Sequence, residues 1–371
     1  MKICFVLGTR PEIIKLSPLI NLCKRKKINH FIIHTGQHYL YMMDKKFFKD
    51  FKIKPKYFLS ANDLSLESNF FITKTMDKIT KIYLKEKPNF IINQGDTNTV
   101  LASSLACNKL SNKKYNKKKK FQLVHVEAGL RSYDRSMPEE INRIISDQLS
   151  DVLFAPTKQS KKNLIKENIK NSKIHIVGNT ISDSIKENIQ KISLKTLDKY
   201  KLKKNKYFLI TLHRPEMVDN KKNLHNIIKY FSVLSKLKKT RIIFPIHPRT
   251  QQKINLFKIK NFNNFKIINP CNYFDFLSLQ KYAKIIFTDS GGIQEESCIL
   301  KTPCITIRKN TERPETLKVK SNILTGYNLP KINNALNKML KIKKNWKSPY
   351  GNNVSQKILN ILYKNYKNND K

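Results

Sequence analysis

The chain has 371 residues, more than a single hydrophobic core usually holds, which suits two domains. Hydrophobic residues make up 40% of the chain and aromatic residues 10%, which excludes a disordered protein and indicates packed domains. No apolar run approaches the roughly 20 residues of a membrane helix, and the run before Arg10 is too short for a secretory signal, so we expect a cytoplasmic protein.

The formal net charge is +46, a value that would normally suggest a nucleic-acid partner. Of the 73 basic residues, however, 63 are Lys and only 10 are Arg, and the lysines are spread along the whole chain. Proteins that read nucleic acids concentrate Arg and aromatic side chains on one face, whereas the densest run here, Lys117 to Lys120, falls in a predicted loop. We therefore expect weak, salt-sensitive binding and no specific nucleic-acid partner.

The cysteines and histidines carry no metal signature. The six cysteines include no C-x-x-C pair, and the eight histidines are scattered. Neither a metal site nor a disulfide framework is expected.

Short β-branched runs alternate with amphipathic stretches from the first residues onward. Strands are predicted at 2–7, 31–35, 89–93, 122–126, 152–155 and 174–177, with helices between them, for example at 11–24 and 138–150. The pattern restarts after Asn179, with strands at 207–212, 241–245, 266–269, 285–288 and 303–307 and helices near 221–238, 273–283 and 291–300. This alternation is typical of βαβ units and parallel sheets.

We therefore predict an α/β protein of two doubly wound, Rossmann-like domains that face a cleft. The first is expected at residues 1–172 and the second at 173–352, joined through a Lys/Asn-rich segment near 170–205. An amphipathic helix is predicted in the last segment, 353–371.

Polar motifs follow six of the predicted strands. They are Gly8–Glu12, Gln94–Asn98, Glu127–Arg131, His213–Glu216, His247–Arg249 and Asp289–Glu296. Ligands of doubly wound sheets bind beyond the carboxyl ends of the strands, so we expect these motifs to line one ligand site.

The clearest phosphate motif is T-D-S-G-G-I-Q-E-E at 288–296. A strand ends, Gly291 and Gly292 follow, and a helix begins, so backbone N–H groups can approach a diphosphate at the positive end of that helix. Ser290 adds a hydroxyl donor, and Glu296 is placed one turn later to accept hydrogen bonds from ribose hydroxyls. The pattern is not G-x-G-x-x-G, which argues against NAD.

Two arginines stand in related motifs, Arg10 in G-T-R-P-E and Arg313 in T-E-R-P-E. In a chain that uses Lys for most positive charges, Arg suggests forked recognition of phosphate. We expect each arginine to contact a phosphate.

Three acids are candidates for proton transfer. Asp96 and Glu127 end neighbouring strands, and Glu139 begins a helix, where helix capping is the alternative role for each. Acids gathered near an anionic ligand favour acid–base chemistry, because their surroundings can separate an acid from a base. His213, in L-H-R-P-E, is either a charge partner or proton carrier, or a buried structural histidine.

Taken together and in this order, the motifs resemble the non-hydrolysing UDP-N-acetylglucosamine 2-epimerases over nearly the whole chain. The resemblance rests on G-T-R-P-E-I-I-K-L-S-P-L-I, T-G-Q-H-Y, Q-G-D-T-N-T-V-L-A, H-V-E-A-G-L-R-S-Y-D-R-S-M-P-E-E-I-N-R, G-N-T-I-S-D, L-H-R-P-E, H-P-R-T, D-S-G-G-I-Q-E-E and T-E-R-P-E. It implies a fold of the glycosyltransferase-B type whose C-terminal helix, 353–371, packs back on the first domain. It also implies a homodimer that interconverts UDP-GlcNAc and UDP-ManNAc without cofactor or metal, for surface polysaccharide synthesis.

The resemblance also assigns roles to individual residues. Catalytic roles fall to Asp96, Glu127, Glu139 and His213. Substrate contacts fall to Arg10, Lys15, Arg143, Ser290, Gly291, Gly292, Glu296 and Arg313. The implied reaction removes the C2 proton and expels UDP from C1 through 2-acetamidoglucal, and which acid is the base in each direction stays open.

One departure from the family pattern, one motif that differs among relatives and two alternative functions bear on this interpretation. The stretch Y-L-Y-M-M-D after Gln37-His38 differs from the R-E-M-L-D-Q of the bacterial branch, where this segment helps bind an activating second UDP-GlcNAc, so allosteric activation stays open. Gly129-Leu130-Arg131 replaces the G-N-R of relatives that act on modified sugars, which favours plain UDP-GlcNAc. The alternatives are a retaining glycosyltransferase of the same fold and a non-catalytic nucleotide-sugar or nucleic-acid binding protein.

Overall fold

The computed structural model describes residues 1–37, 47–59, 68–110, 121–260, 262 and 265–369. The lysine run at 117–120 and the Y-L-Y-M-M-D stretch at 39–44 lie outside the described residues. The chain forms two compact units, Met1–Glu187 together with Tyr350–Lys371, and Asn188–Pro349. We call them the first and the second unit.

The first unit contains a seven-stranded sheet of order β3-β2-β1-β4-β5-β6-β7, in which every pair is parallel. Its strands are β1 (Lys2–Leu7), β2 (Asn29–His34), β3 (Tyr57–Phe58), β4 (Phe90–Gln94), β5 (Gln122–Val126), β6 (Val152–Ala155) and β7 (Ile174–Ile176). Its helices are α1 (Arg10–Arg25), α2 (Ser68–Glu86), α3 (Asn98–Leu110), α4 (Pro138–Leu149), α5 (Lys158–Lys166) and α6 (Ile181–Glu187). The central strands are apolar runs buried on both faces, as parallel sheets covered by helices require.

The second unit contains a six-stranded parallel sheet of order β10-β9-β8-β11-β12-β13. Its strands are β8 (Tyr207–Thr211), β9 (Arg241–Pro245), β10 (Phe265–Ile268), β11 (Ile285–Thr288), β12 (Cys304–Thr306) and β13 (Asn322–Leu324). Its helices are α7 (Lys195–Lys199), α8 (Pro215–Val218), α9 (Lys221–Leu237), α10 (Pro248–Leu256), α11 (Tyr273–Tyr282), α12 (Gly291–Ile299), α13 (Pro314–Lys318) and α14 (Leu329–Leu340). The predicted α/β class with two parallel-sheet units is confirmed.

The first unit extends beyond residue 172, where the sequence placed the domain boundary. β7 pairs with β6, so residues 174–176 complete the first sheet, and the unit runs on to Glu187. The last helix, α15 (Val354–Asn369), packs against α1 and α6. The Asp183 carboxylate on α6 accepts hydrogen bonds from the backbone N–H groups of Val354 and Ser355 at 3.2 and 2.7 Å, which caps α15.

Each sheet has one switch point, where the strand order reverses. It lies between β1 and β4 in the first unit and between β8 and β11 in the second. Loops that leave neighbouring strands in opposite directions open a crevice there, and ligands of such sheets bind in it. Among the described residues, no helix is long and apolar enough to cross a membrane.

Candidate active site

In the first unit, Glu12 ties together the two loops at the switch point. Its carboxylate is buried and accepts hydrogen bonds from the N–H groups of Gly8 and Thr9 at 2.8 and 2.7 Å. It also accepts one from the Thr97 hydroxyl, beside Asp96, at 2.7 Å. Burial raises the pKa of Glu12 to about 7, and these donors act in the opposite direction. Sequence reasoning placed Glu12 in a motif but gave it no part in holding the Asp96 loop.

Glu127 follows β5 and has a buried carboxylate with several donors. Its Oε2 atom lies 2.5 Å from the Lys15 Nζ, 3.1 Å from the Gln94 Nε2 and 3.2 Å from the Asn179 Nδ2. The Glu127 backbone has φ +72°, a left-handed conformation that is costly for a residue with a side chain. Lys15, predicted as a substrate contact, is 6% exposed and directs its ammonium group at this carboxylate. The left-handed backbone of Glu127 and the three donor groups together orient its carboxylate.

Asp96 lies in the loop after β4, and its side chain is 29% exposed. The Arg143 guanidinium on α4 contacts its Oδ2 atom at 2.5 Å, and Asn142 donates to its backbone oxygen at 3.0 Å. Arg143 also contacts the buried carboxylate of Glu140 at 2.7 Å. Arg143, predicted to bind substrate, therefore bridges two acids, and Glu140 is a member of this group that sequence reasoning missed.

Glu139 and Arg10 are the more exposed members of the first-unit set. Glu139 lies in the first turn of α4, partly exposed, three and four positions before Asn142 and Arg143, so the three share one helix face. Arg10 is the first residue of α1, and its guanidinium lies 5.2 Å from the centre of the Phe47 ring. The structure brings together Lys15 with Glu127, and Arg143 with Asp96; Glu139 and Arg10 border these pairs along the chain.

In the second unit, Asp289 joins the loops after β8 and β11. Its Oδ2 atom accepts hydrogen bonds from the N–H groups of His213 and Arg214 at 2.7 and 2.8 Å. The His213 Nδ1 lies 3.1 Å from the Asp289 Oδ1. Burial alone would raise the pKa of Asp289, but the His213 ring and the backbone donors hold it below its usual value. Asp289 thus orients His213, whose side chain is 34% exposed.

The N-terminus of α12 has the geometry expected of an anion site. Ser290 is the N-cap, and Gly291 and Gly292 are the first two helical residues. A Cβ on Gly291 would collide with the Glu312 carboxylate, so any larger residue here would have to displace that side chain. A Cβ on Gly292 would meet no described atom within 4 Å. The space in front of the helix is therefore open at Gly292, and backbone N–H groups there can face an anion.

Glu296 lies on the same helix and Arg313 lies beside its first turn, and both side chains already have protein partners. Arg313 is the N-cap of α13, forms a buried ion pair with Glu295, and has its Cζ 4.0 Å from the position of a Cβ on Gly291. Glu296 accepts hydrogen bonds from the Tyr273 hydroxyl at 3.1 Å and from the Gln280 Nε2 at 2.6 Å. Both side chains are held by protein partners that the sequence did not reveal, and their contacts with a ligand stay predictions.

A cavity of about 200 Å³ adjoins this helix. It is lined by the ends of β8 and β9 and by α11 and α12, with His213, His247, Phe276 and Ile293 among its residues. The rings of His213 and His247 lie 5.4 Å apart. The sequence motifs predicted the two histidines, whereas Phe276 has no local signal beyond an apolar helix position.

Known proteins resemble this chain in sequence. The family model described as UDP-N-acetylglucosamine 2-epimerase matches residues 21–363. A UDP-N-acetylglucosamine 2-epimerase of Methanococcus maripaludis is 48% identical over 373 residues, which covers 98% of each protein.

Two solved structures are similar along the whole chain. The UDP-GlcNAc 2-epimerase of Methanocaldococcus jannaschii, in complex with UDP-GlcNAc and UDP, has a TM-score of 0.88 and 46% identity and covers 98% of this chain and 99% of that one. The Neisseria meningitidis UDP-GlcNAc 2-epimerase, bound to UDP-GlcNAc, has a TM-score of 0.86 and 31% identity over 98% and 100%. Similarity of this extent in both sequence and structure leaves one assignment: the chain belongs to the UDP-N-acetylglucosamine 2-epimerase family, a family of isomerases.

Proposed function

We propose that the protein interconverts UDP-GlcNAc and UDP-ManNAc by eliminating UDP and adding it back. In the elimination the C2–H and C1–O bonds break, a C1=C2 double bond forms, and UDP leaves with the bonding electrons. In the return step a proton is delivered to the other face of C2, and the UDP oxygen bonds to C1 again. No cofactor is needed, because the reaction has no net change of oxidation state.

One observation carries the proposal: Asp96 and Glu127 end neighbouring strands at a sheet edge where ligands bind, and each has its own cation. Inversion at C2 needs one group to remove a proton and another to deliver one from the opposite face. Asp96 is partly exposed beside Arg143, whereas Glu127 is buried beside Lys15. Different surroundings separate two carboxylates into an acid and a base, and which is which in each direction stays open.

The two cationic side chains of the first unit, Lys15 and Arg143, are assigned a role other than direct substrate binding. Lys15 and Arg143 orient the reacting carboxylates and add positive charge near an anionic substrate. Glu139 is proposed as the third acid, because it shares a helix face with Arg143. Arg10 is proposed as a phosphate contact, because it is a partly exposed residue at the N-terminus of α1.

The second unit is proposed to hold UDP. The N-terminus of α12, with Ser290, Gly291 and Gly292, receives the diphosphate, and His213 neutralises charge on the departing oxygen. The adjoining cavity suits a flat pyrimidine ring, since Phe276 and Ile293 supply apolar surface and strand ends supply backbone hydrogen-bonding groups. Glu296 is proposed to accept a ribose hydroxyl, and Arg313 to add positive potential beside the helix end.

Proton NMR of UDP-GlcNAc with the enzyme in D2O tests the reaction. We expect a new ManNAc anomeric signal and deuterium at C2 of both sugars, because the abstracted proton exchanges with solvent. A mixture without C2 deuterium would contradict exchange with solvent during the proton transfer. Unchanged UDP-GlcNAc would contradict the proposed function altogether.

The same experiment decides between the alternatives. A retaining glycosyltransferase requires an acceptor, so conversion of UDP-GlcNAc alone excludes it. A binding protein would perturb the sugar signals without forming product. The intact acid set favours the epimerase over both.

Four further expectations belong to this proposal. The protein is proposed to be a homodimer, which light scattering after gel filtration measures, and to lie in the cytoplasm, which cell fractionation tests. Its product is proposed to supply ManNAc-type sugars for surface polysaccharide, so deletion of the gene should remove that sugar from the polysaccharide. Binding to nucleic acid should be nonspecific and should fall by about 10³–10⁵ between 50 and 200 mM salt if 6–10 phosphates are contacted.

A further inference from the structure

His125 lies on β5, fully buried between two acceptors. Its Nδ1 is 2.7 Å from the Asp147 Oδ1, and its Nε2 is 2.8 Å from the backbone oxygen of Gly95. A carbonyl oxygen cannot donate, and neither can an ionised carboxylate. Both ring nitrogens must therefore carry protons, which makes His125 an imidazolium ion.

The charges around His125 are balanced by a short chain of charged groups, of which Asp147 and Arg131 are buried and Glu167 is partly exposed. The Asp147 Oδ2 contacts the Arg131 guanidinium at 2.7 Å, and Arg131 in turn binds Glu167 through two nitrogens at 2.7 and 2.6 Å. Two cations thus alternate with two carboxylates. Burial opposes charge on both His125 and Asp147, yet their mutual attraction leaves the pKa of His125 raised and that of Asp147 lowered.

These charged side chains form hydrogen bonds to both loops that carry the proposed acids, Asp96 and Glu127. Gly95, whose carbonyl oxygen accepts from His125, directly precedes Asp96 and has φ +82°, a left-handed conformation that glycine adopts without steric cost. Asp147 also accepts a hydrogen bond at 3.1 Å from the N–H of Gly129, two residues after Glu127. One carboxylate therefore fixes the Glu127 loop directly and the Asp96 loop through His125.

We propose that His125 is a positioning residue for the epimerisation: its doubly protonated ring, oriented by Asp147, holds the Gly95 carbonyl and so sets Asp96 relative to Glu127 for proton transfer. The inference rests on the proposed function, since it requires Asp96 to act on substrate. His125 itself does not touch substrate.

Two substitutions separate the two hydrogen bonds of the ring. His125→Gln can place an amide N–H where Nε2 stood and keep the bond to Gly95, whereas His125→Asn keeps only the bond toward Asp147. We expect His125→Asn to lower kcat by about 10²-fold, the cost of a small misplacement of a reacting group, and His125→Gln by about tenfold. KM and UDP affinity should change less than twofold in both. His175→Gln, on β7 of the same sheet, is the matched control and should keep wild-type kcat.

A purely structural histidine gives a different result. Equal kcat for the Asn and Gln variants, or parallel loss of kcat and UDP affinity, would overturn the inference. If the variants fail to fold, ¹⁵N-histidine NMR of the wild-type protein decides: at pH 6.5, the ordinary pKa of histidine, the His125 ring should show two protonated nitrogens, and a single proton contradicts the proposal. The Asp96→Asn variant distinguishes a failure of the proposed function from a failure of this inference. Wild-type activity in Asp96→Asn would overturn the proposed role of Asp96. An inactive Asp96→Asn together with a fully active His125→Asn would overturn only the inference on His125.

Discussion

Gly291 and Gly292 stand side by side at the start of α12, yet alanine at each should have opposite effects. At Gly291 the new methyl group would overlap the Glu312 carboxylate, which is 2% exposed and held by Arg308 at 2.9 Å. Displacing that carboxylate should cost about 1–3 kcal/mol of unfolding free energy, as overpacking does in other cores. At Gly292 the methyl group meets no described atom within 4 Å, and alanine favours the helix by up to about 1 kcal/mol.

UDP binding should be weakened in Gly292→Ala, the variant whose stability is not expected to fall. If the diphosphate lies against the backbone at Gly292, the methyl group of Gly292→Ala pushes it away from the N–H donors. A loss of about 1–3 kcal/mol corresponds to roughly 5- to 150-fold weaker UDP binding. Urea unfolding measures the stability, and calorimetry with UDP measures the affinity. Wild-type UDP affinity in Gly292→Ala, with stability unchanged, would refute the placement of the diphosphate.

The remaining predictions concern the acids, one arginine and one histidine. Asp96→Asn, Glu127→Gln and Glu139→Gln should each lower turnover by about 10²–10⁴-fold with the fold intact by circular dichroism, and near wild-type turnover in any two would contradict the assigned roles. Arg313→Ala should weaken UDP binding in calorimetry and also destabilise the protein by about 3–5 kcal/mol, because it removes the guanidinium that pairs with the buried Glu295 carboxylate; unchanged stability would contradict the pairing. The pKa of His125 is raised in the folded state, so its contribution to stability is complete below the unfolded pKa of about 6.5 and is lost as pH rises through the folded pKa. The difference in unfolding free energy between wild type and His125→Gln should therefore shrink from pH 6 to pH 9, and a constant difference would exclude titration of this ring.

The fold was largely predictable because parallel strands buried on both faces are continuous apolar runs. Most predicted strand bounds lie within one or two residues of those observed. The two strands that were missed, β3 and β13, have two and three residues at sheet edges, too short to show a pattern. The predicted boundary at 172 differs from the observed end of the first segment at Glu187. The pairing of β7 with β6, which extends the first unit, depends on the sheet and not on local composition.

The site was predictable in its location but not in its partners. Motifs at strand ends identified residues in the loops after β1, β4, β8 and β11, the strands that border the two switch points. Lys15 and Glu127 pair although they lie 112 positions apart, and no local sequence pattern predicts this pair. Likewise the sequence analysis named Glu139 and did not consider Glu140, and it is Glu140 that the fold buries against Arg143. Side-chain partners are set by how loops meet in three dimensions, which composition and spacing do not contain.

The capping of α15 by Asp183 has a consequence for how the chain is made. The helix that completes the first unit is synthesised only after the whole second unit, about 160 residues later. At a translation rate of about 5–20 residues per second, the surfaces of α1 and α6 that it covers wait about 8–30 s on the ribosome without it. The first unit is thus begun first and finished last, and the nascent chain exposes a defined apolar surface to chaperones throughout that interval.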